Sequence, residues 1–391
     1  MTDGRRVAVV GIGVVSCAGT GLEAYWEGLN SEPPEGERRV HDFDPNNWYP
    51  NPKAARRADR SQQFAMASAL MAMEDAGELT SDPGRNGVIY ATGVGGLATF
   101  EVQVQVWMEK GARRVSPFMV PMMMPNAPGA SISMQFGLQG PNETVTTACA
   151  ASTHSIGNAA RLIQTGRCDA VVTGGTEAVM TPVGMAGFGN MTALSSSGVS
   201  MPFDKDRDGF MMTEGSATLV LEEWESAEAR GAHIYGEILG SASNADAHHI
   251  TAPSPGGEGA VRCMQLAMED AGLTPADIAH INAHGTSTPL NDAAEAIAIE
   301  KVFGTSGPLI TSTKGVTGHG LGAAGALEAT AILLAMKHRK VPPTAGYTTP
   351  DPELPAINLV VGEAADWEPG PSISNSFGFG GHNGCLVIGP A

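Results

Sequence analysis

The hexapeptide AMEDAG occurs at Ala72–Gly77 and again at Ala267–Gly272. Self-similarity of this kind marks duplicated supersecondary units, and the flanking sequence extends it. After the first copy a turn leads into the apolar run GVIYATG (Gly87 to Gly93), and after the second LTPADIAHINAHG carries a strand ending near His284. Upstream, RVAVVGIG (Arg6 to Gly13) pairs loosely with HIYGEILG (His233 to Gly240). Downstream, SATLVLEE (Ser216 to Glu223) pairs with NGCLVIGP (Asn383 to Pro390), and these stretches read as strands. Between the landmarks, TVTTACAASTHSIGNAARLIQ and PLITSTKGVTGHGLGAAGALEATAILLAM each break from a strand into a helix rich in Ala and Gly. Two related α/β halves whose small-residue helices share a middle layer predict a five-layer αβαβα sandwich, with an N-terminal half at 1–230 and a C-terminal half at 231–391.

Composition agrees with two packed units. The chain has 391 residues, 42% of them hydrophobic, beyond the size at which a single core stops growing. Fifty glycines and 5% aromatics suit close backbone packing in layers. No apolar run is long enough to span a membrane, and the opening MTDGRRVAVVGIG runs from two arginines into a strand pattern without a cleavage site, so the expectation is a cytoplasmic protein with no membrane insertion. The five cysteines form no C-x-x-C pair, which speaks against disulfides and a zinc cage. A net charge of −18 opposes nucleic-acid binding. Basic groups at Lys53, Arg56, Arg57 and Arg60 and at Arg113 and Arg114 are local exceptions that, taken alone, read more often as solvated faces than as docking sites.

The first half carries two extra segments, near 95–135 and 180–215, and such insertions often carry function. PFMVPMMMPNAPG sets methionines between prolines, a flexible apolar stretch for a tunnel, a dimer contact or plain core. SSSGVSMPFDKDRDG reads as an exposed loop.

Cys149, in TTACAAS, falls where a β-branched strand meets a small-residue helix. A helix N-terminus lowers a thiol pKa and offers amides to an oxyanion, although a Cys in an apolar run is also an ordinary core residue. His284 in NAHGTSTP and His319 in TKGVTGHGLGAAGA occupy strand-end loops, where α/β sites form. The wide separation of these residues in the chain argues against a metal site. Lys314 is read as the second-half counterpart of the Cys149 elbow, and Glu328 as its partner or as a surface charge. GIGVVS at Gly11 lacks the third glycine of a dinucleotide fingerprint, and no phosphate-binding loop is present.

Taken together, TACAAS, NAHGTSTP, TKGVTGHGLGAAGA and NSFGFGGHN, with PFDKDRDGF and VPPT, resemble the elongating β-ketoacyl-acyl-carrier-protein synthases of the thiolase superfamily, over essentially the whole chain. The resemblance implies a homodimeric acyltransferase of fatty-acid synthesis that needs no cofactor beyond the phosphopantetheine of its acyl carrier protein. It makes Cys149 the acyl-accepting nucleophile, His284 and His319 the pair that serves decarboxylative condensation with a malonyl-carrier, and Lys314 and Glu328 their supports. It assigns the backbone amides of Cys149 and Phe379 to the oxyanion hole, with Phe379 also a gate. Thr251, Thr286 and Thr288 match positions that contact the phosphopantetheine arm, Asp246 and His249 lie near its entrance, and Phe100 matches the deep end of the acyl pocket, often across the dimer contact. Lys53, Arg56 and Arg57 fall where the family docks its acidic carrier. Ser152, Gly315 and Asn291 depart from the commonest residues and leave substrate range open. A polyketide ketosynthase of the same fold and a non-catalytic chain-length partner subunit are the rival readings; a thiolase fits poorly, because Cys385 does not match its second cysteine.

Overall fold

The computed structural model describes residues 4–34 and 36–391. In the first half, strands β1 (Val7–Ser16), β2 (Asn86–Ala91), β3 (Asn142–Val145), β4 (Ala170–Glu177) and β5 (Gly215–Glu223) lie in the order β3-β2-β4-β5-β1. In the second, β6 (Gly236–Ala245), β7 (His280–Asn282), β8 (Leu309–Thr311), β9 (Ser372–Gly378) and β10 (His382–Gly389) lie in the order β8-β7-β9-β10-β6. The two orders are the same when each half is counted from its own first strand. Directions also correspond: β2 is parallel to β3 and β4 as β7 is to β8 and β9, and the other pairs in each half are antiparallel. The halves meet edge to edge through Ala8↔Glu237 and Val9↔Gly236, which joins them into one continuous sheet.

Seven helices matter for the site: α1 (Arg60–Ala76), α2 (Leu97–Lys110), α3 (Ala127–Phe136), α4 (Ala151–Gln164), α5 (Glu258–Ala271), α6 (Pro289–Phe303) and α7 (Ala324–His338). Helices α1 and α3 cover the outer face of the first half and α5 and α6 that of the second, while α4 and α7 pack on each other and on strands of both halves. This is the expected five-layer arrangement. Every residue of α7 from Ala324 to Met336 is buried, as a helix apolar on all sides requires.

The repeated hexapeptide has a physical cause. A Cβ on Gly11 would stand 2.2 Å from the carbonyl oxygen of Ala72, and one on Gly240 2.8 Å from that of Ala267, so α1 and α5 lie directly on glycines of β1 and β6. A β-bulge interrupts each ladder nearby, between Val9 and Gly11 and between Val387 and Ile388. The Asp75 carboxylate accepts from the N–H of Ile12 at 2.9 Å, and Asp270 from Ser241 at 2.9 Å. The alanines permit the approach and the aspartates satisfy an amide that a bulge leaves out of the ladder. Gly11, not Gly13, is therefore the counterpart of Gly240.

Two expectations for the insertions change. No residue of the Met119–Met123 turn is buried, and Phe118, Val120 and Met124 are exposed, so this stretch is apolar surface rather than core. The SSSGVSMPFDKDRDG stretch is exposed at Ser196–Val199 and at Lys205 and Asp206, but Phe203, Asp204 and Arg207 within it are buried. Asp204 accepts the N–H groups of Asp206, Thr348 and Thr349, and Arg207 pairs with Asp351 at 2.6 Å, which draws the charged run inward. Among the described residues, no helix is long and apolar enough to cross a membrane.

Candidate active site

Cys149 sits between β3 and α4 in a single 3₁₀ turn, Ala148–Ala150, entered through Ala148 at φ +50°. A non-glycine residue held in this region stores strain, a common feature of functional turns. The elbow is braced by His154 on α4. Its Nε2 donates to the Asn383 carbonyl at 3.0 Å, which leaves Nδ1 to accept from the Thr147 hydroxyl at 2.8 Å. A side chain on Gly378 would reach within 3.1 Å of the Cys149 amide, so a glycine is needed where β9 passes the nucleophile turn.

The second half repeats the elbow at Leu321, φ +44°, followed by the 3₁₀ turn Leu321–Ala323 and α7. The counterpart of Cys149 is thus Gly322. Lys314 precedes that turn in a separate short helix, Lys314–Thr317, which corrects its placement at the elbow.

His284 follows β7 at the bottom of the cleft. Its N–H and that of Gly285 donate to the Glu295 carboxylate on α6, at 2.8 and 2.7 Å. The ammonium of Lys314 donates to the His284 carbonyl at 2.6 Å, lies 3.4 Å from His284 Nδ1, and is paired with the Glu328 carboxylate on α7. His319 is held by its N–H to the Met211 carbonyl at 2.7 Å, and its ring stands edge-on to Phe210, centroids 5.1 Å apart. The imidazoles of His284 and His319 are nearly perpendicular at 5.3 Å. One atom each from Cys149, His284 and His319 lies within 4.8 Å of the others, so residues far apart in sequence converge.

Burial dominates the electrostatics. It pushes the Cys149 thiol up to about 11, against the pull of the Phe379 N–H, the Lys314 cation and its own N–H. The expected low thiol pKa is corrected: α4 begins only at Ala151, and desolvation outweighs the helix end. Burial, then the Lys314 charge, holds both His284 and His319 well below the usual imidazole range, so both are neutral at neutral pH. Burial raises Glu328 to about 7 despite Lys314.

A cavity of about 350 Å³ runs down to these groups, lined by Thr251, Thr286, Thr288, Asp246 and Leu290 toward its mouth and by Phe210, Phe377 and Phe379 around Cys149 and the histidines. Two residues expected near it, Phe100 and His249, lie outside its lining. Phe100 on α2 is 43% exposed, and Val102, Trp107 and Met108 of the same helix are exposed too. His249 is exposed, its Nδ1 accepting the amides of Thr251 and Ala252. Lys53, Arg56 and Arg57 are exposed around the short helix Pro52–Ala55, with Arg57 over the Phe118 ring at 4.2 Å.

Sequence reading missed two acids. Glu295 carries the His284 loop, and Glu177 at the end of β4 accepts from Gly93 N–H (2.7 Å), Gly322 N–H (3.1 Å) and Thr92 Oγ1 (3.2 Å). The available signal for Glu177 was an isolated acid in an apolar, small-residue run, VVTGGTEAVM; Glu295, in NDAAEAIAIE, stands among other acids and carried no such mark.

A cysteine at a strained elbow facing two neutral histidines in an αβαβα sandwich defines a condensing-enzyme site, and the chain belongs to the β-ketoacyl synthase family. Residues 30–227 match the β-ketoacyl synthase N-terminal domain and 235–348 the C-terminal domain. A relative from Staphylococcus aureus, 3-oxoacyl-[acyl-carrier-protein] synthase 2, is 43% identical over 99% of both chains. The ishigamide ketosynthase/chain length factor superposes with a TM-score of 0.92 at 36% identity, over 99% of this chain and all of that one. A type II polyketide ketosynthase, solved with its acyl-carrier protein and bound to a hexaketide, gives 0.89 at 30% identity over the whole of both chains.

Proposed function

We propose that this protein is a 3-oxoacyl-acyl-carrier-protein synthase of fatty-acid elongation. The convergence of Cys149, His284 and His319 within 4.8 Å at the base of the cavity carries the reading. In the first half-reaction the Cys149 sulfur bonds to the acyl carbon of an acyl-carrier thioester, the carrier sulfur departs, and the thiol proton ends on it. The amides of Cys149 and Phe379, both directed at the sulfur, suit the oxyanion. In the second, malonyl-carrier enters and its thioester carbonyl accepts hydrogen bonds from His284 and His319, which are neutral donors. Carbon dioxide leaves, and the resulting carbanion attacks the acyl-enzyme and expels the Cys149 thiolate, a ping-pong scheme. Lys314, held by Glu328, fixes the position of His284. Thr251, Thr286 and Thr288 line the path of the phosphopantetheine arm.

The carrier protein docks by its acidic surface on Lys53, Arg56 and Arg57. Two copies of the chain pair through the apolar face that bears Phe100, Trp107, Phe118 and Val120, all exposed in the single chain. Large apolar residues exposed together on one insertion suit a subunit contact. Incubation with a panel of acyl-carriers and malonyl-carrier, with carbon dioxide and product mass as readouts, tests the reading; absence of both with every acyl donor refutes it. Higher identity to the fatty-acid relative than to the polyketide structures favours one condensation per substrate. Products extended by several units would favour the polyketide alternative.

A further inference from the structure

Condensation leaves a proton deficit. Acyl transfer to Cys149 is proton-neutral, because the thiol proton ends on the departing carrier thiol. Decarboxylative attack then expels Cys149 as a thiolate, so each turnover takes up one proton before the thiol is restored. In the proposed scheme the arm of the malonyl-carrier occupies the cavity at that moment.

A line of buried polar groups leads to the site from behind. His280, Asn282 and His284 alternate along β7 and its continuation, spanning about 13 Å at about 3.3 Å per residue. Asn282 is in register with Ser374 of β9 and with Thr311 of β8. These side chains face the middle layer, since Ile281, Ala283 and Ile373 on the opposite face pack with Met264 and Ala267 of α5. Both ring nitrogens of His280, both amide atoms of Asn282, the hydroxyls of Ser374 and Thr313 and Glu328 Oε2 are buried without a hydrogen-bond partner. Buried polar groups are ordinarily satisfied, where protein does not reach them, by internal water. At the outer end His280 meets the half-buried Trp367 edge-on at 5.4 Å.

The first half supplies an internal comparison. By strand register, Gly87, Ile89 and Thr173 stand where the second half has His280, Asn282 and Ser374. Ile89 belongs to the main hydrophobic core, and the Thr173 hydroxyl is satisfied by Ser155 at 3.0 Å. The fold thus accepts hydrocarbon at the Asn282 position and a protein-satisfied hydroxyl at the Ser374 position, whereas in the second half both side chains are left without a protein partner.

We propose that a file of buried waters, held by His280, Asn282, Ser374 and Thr313 beneath α7, conducts a proton from the Trp367 side to the Lys314–Glu328 pair and so to the Cys149 thiolate after each condensation. This rests on the condensing activity. Lys314 and Glu328 are the inner terminus, and His280 relays as a neutral imidazole, exchanging one ring proton for another.

The test uses Asn282→Leu and His280→Phe, each close in size to the original, with Ser374→Ala as a milder third variant should either fail to fold. Acylation of Cys149 by acyl-carrier is followed by intact mass, and steady-state condensation by carbon dioxide release at saturating malonyl-carrier, from pH 6 to 9. Interrupting the file should slow condensation about tenfold, increasingly toward high pH, with acylation within about twofold of wild type. Unchanged condensation in a folded variant, or equal loss in both half-reactions, overturns the proton file. Absence of carbon dioxide release in the wild type would instead overturn the condensing activity itself.

Discussion

The Lys314 ammonium bridges to the His284 carbonyl oxygen at 2.6 Å, so the backbone of one candidate catalytic histidine is fixed by a buried cation. That cation is itself balanced by Glu328. Replacing Lys314 by Met removes one partner of a fully buried pair and should destabilise the protein by about 3–5 kcal/mol. Adding Glu328→Leu should return much of this loss, because an unpaired buried acid no longer remains. Urea denaturation of the single and double variants measures both effects; a double variant no more stable than Lys314→Met contradicts the pairing.

Cys149→Ala should keep the fold and abolish acyl-enzyme formation, since loss of one buried sulfur is tolerated far better than loss of the nucleophile. In the wild-type protein the thiol, held near 11, should react with iodoacetamide about tenfold faster per pH unit through the neutral to alkaline range. A rate that levels off below pH 8 would show that the free-enzyme thiol is more acidic than its burial dictates.

Glu177 gives a pH dependence with a definite sign. Burial raises its carboxyl from an ordinary 4.5 to about 7, so between these values the folded protein holds a proton that the unfolded chain has released. Its contribution to stability is therefore greatest below 4.5 and declines as pH rises to 7, by up to about 3 kcal/mol. Glu177→Gln keeps an acceptor for Gly93 and Gly322 and cannot ionise. Its stability relative to wild type should rise between pH 5 and 8 in denaturation curves; a constant difference across that range rules the titration out.

Charge reversal at Arg56 and Arg57 should raise KM for carrier-bound substrate about tenfold at low salt and converge with wild type in high salt. A small pantetheine thioester should be used equally by both proteins. Parallel losses on the two substrates would point to damage within the cavity.

Trp107→Asp on the exposed face of α2 should weaken self-association by at least about 2 kcal/mol, read by sedimentation as a shift to monomer. Phe100→Ala, made where the dimer persists, should let longer acyl chains acylate Cys149, because a phenyl ring reaching the partner's pocket costs a long chain about 1–3 kcal/mol in overpacking. An unchanged chain-length profile removes Phe100 from the acyl pocket.

The duplication was legible because AMEDAG answers to local demands that occur twice: a helix on a glycine and an aspartate at a bulge. Strand ends at His284 and the elbow at Cys149 followed from the same periodicity. What escaped were relations set by tertiary distance. Lys314 looked like an elbow residue because the strand and helix around it resemble those around Cys149, but only backbone angles reveal Leu321 as the true counterpart of Ala148. The direction of the Cys149 shift depended on how much desolvation opposes the helix end, which no linear pattern records. Phe100 was placed by resemblance, and its exposed site on α2 is a property of the single chain.

The pairing of Cys149 with Gly322 makes the division of labour between the halves irreversible by simple means. A Cβ at Gly322 would stand 2.1 Å from the Gly93 nitrogen, and the Gly322 amide itself already donates to Glu177. One ancestral turn has become a hinge pin and the other a workbench. A cysteine installed in the second turn would find neither room nor a free amide, so the symmetry of the scaffold offers no route to a second centre, and each chain is confined to a single acyl group at a time.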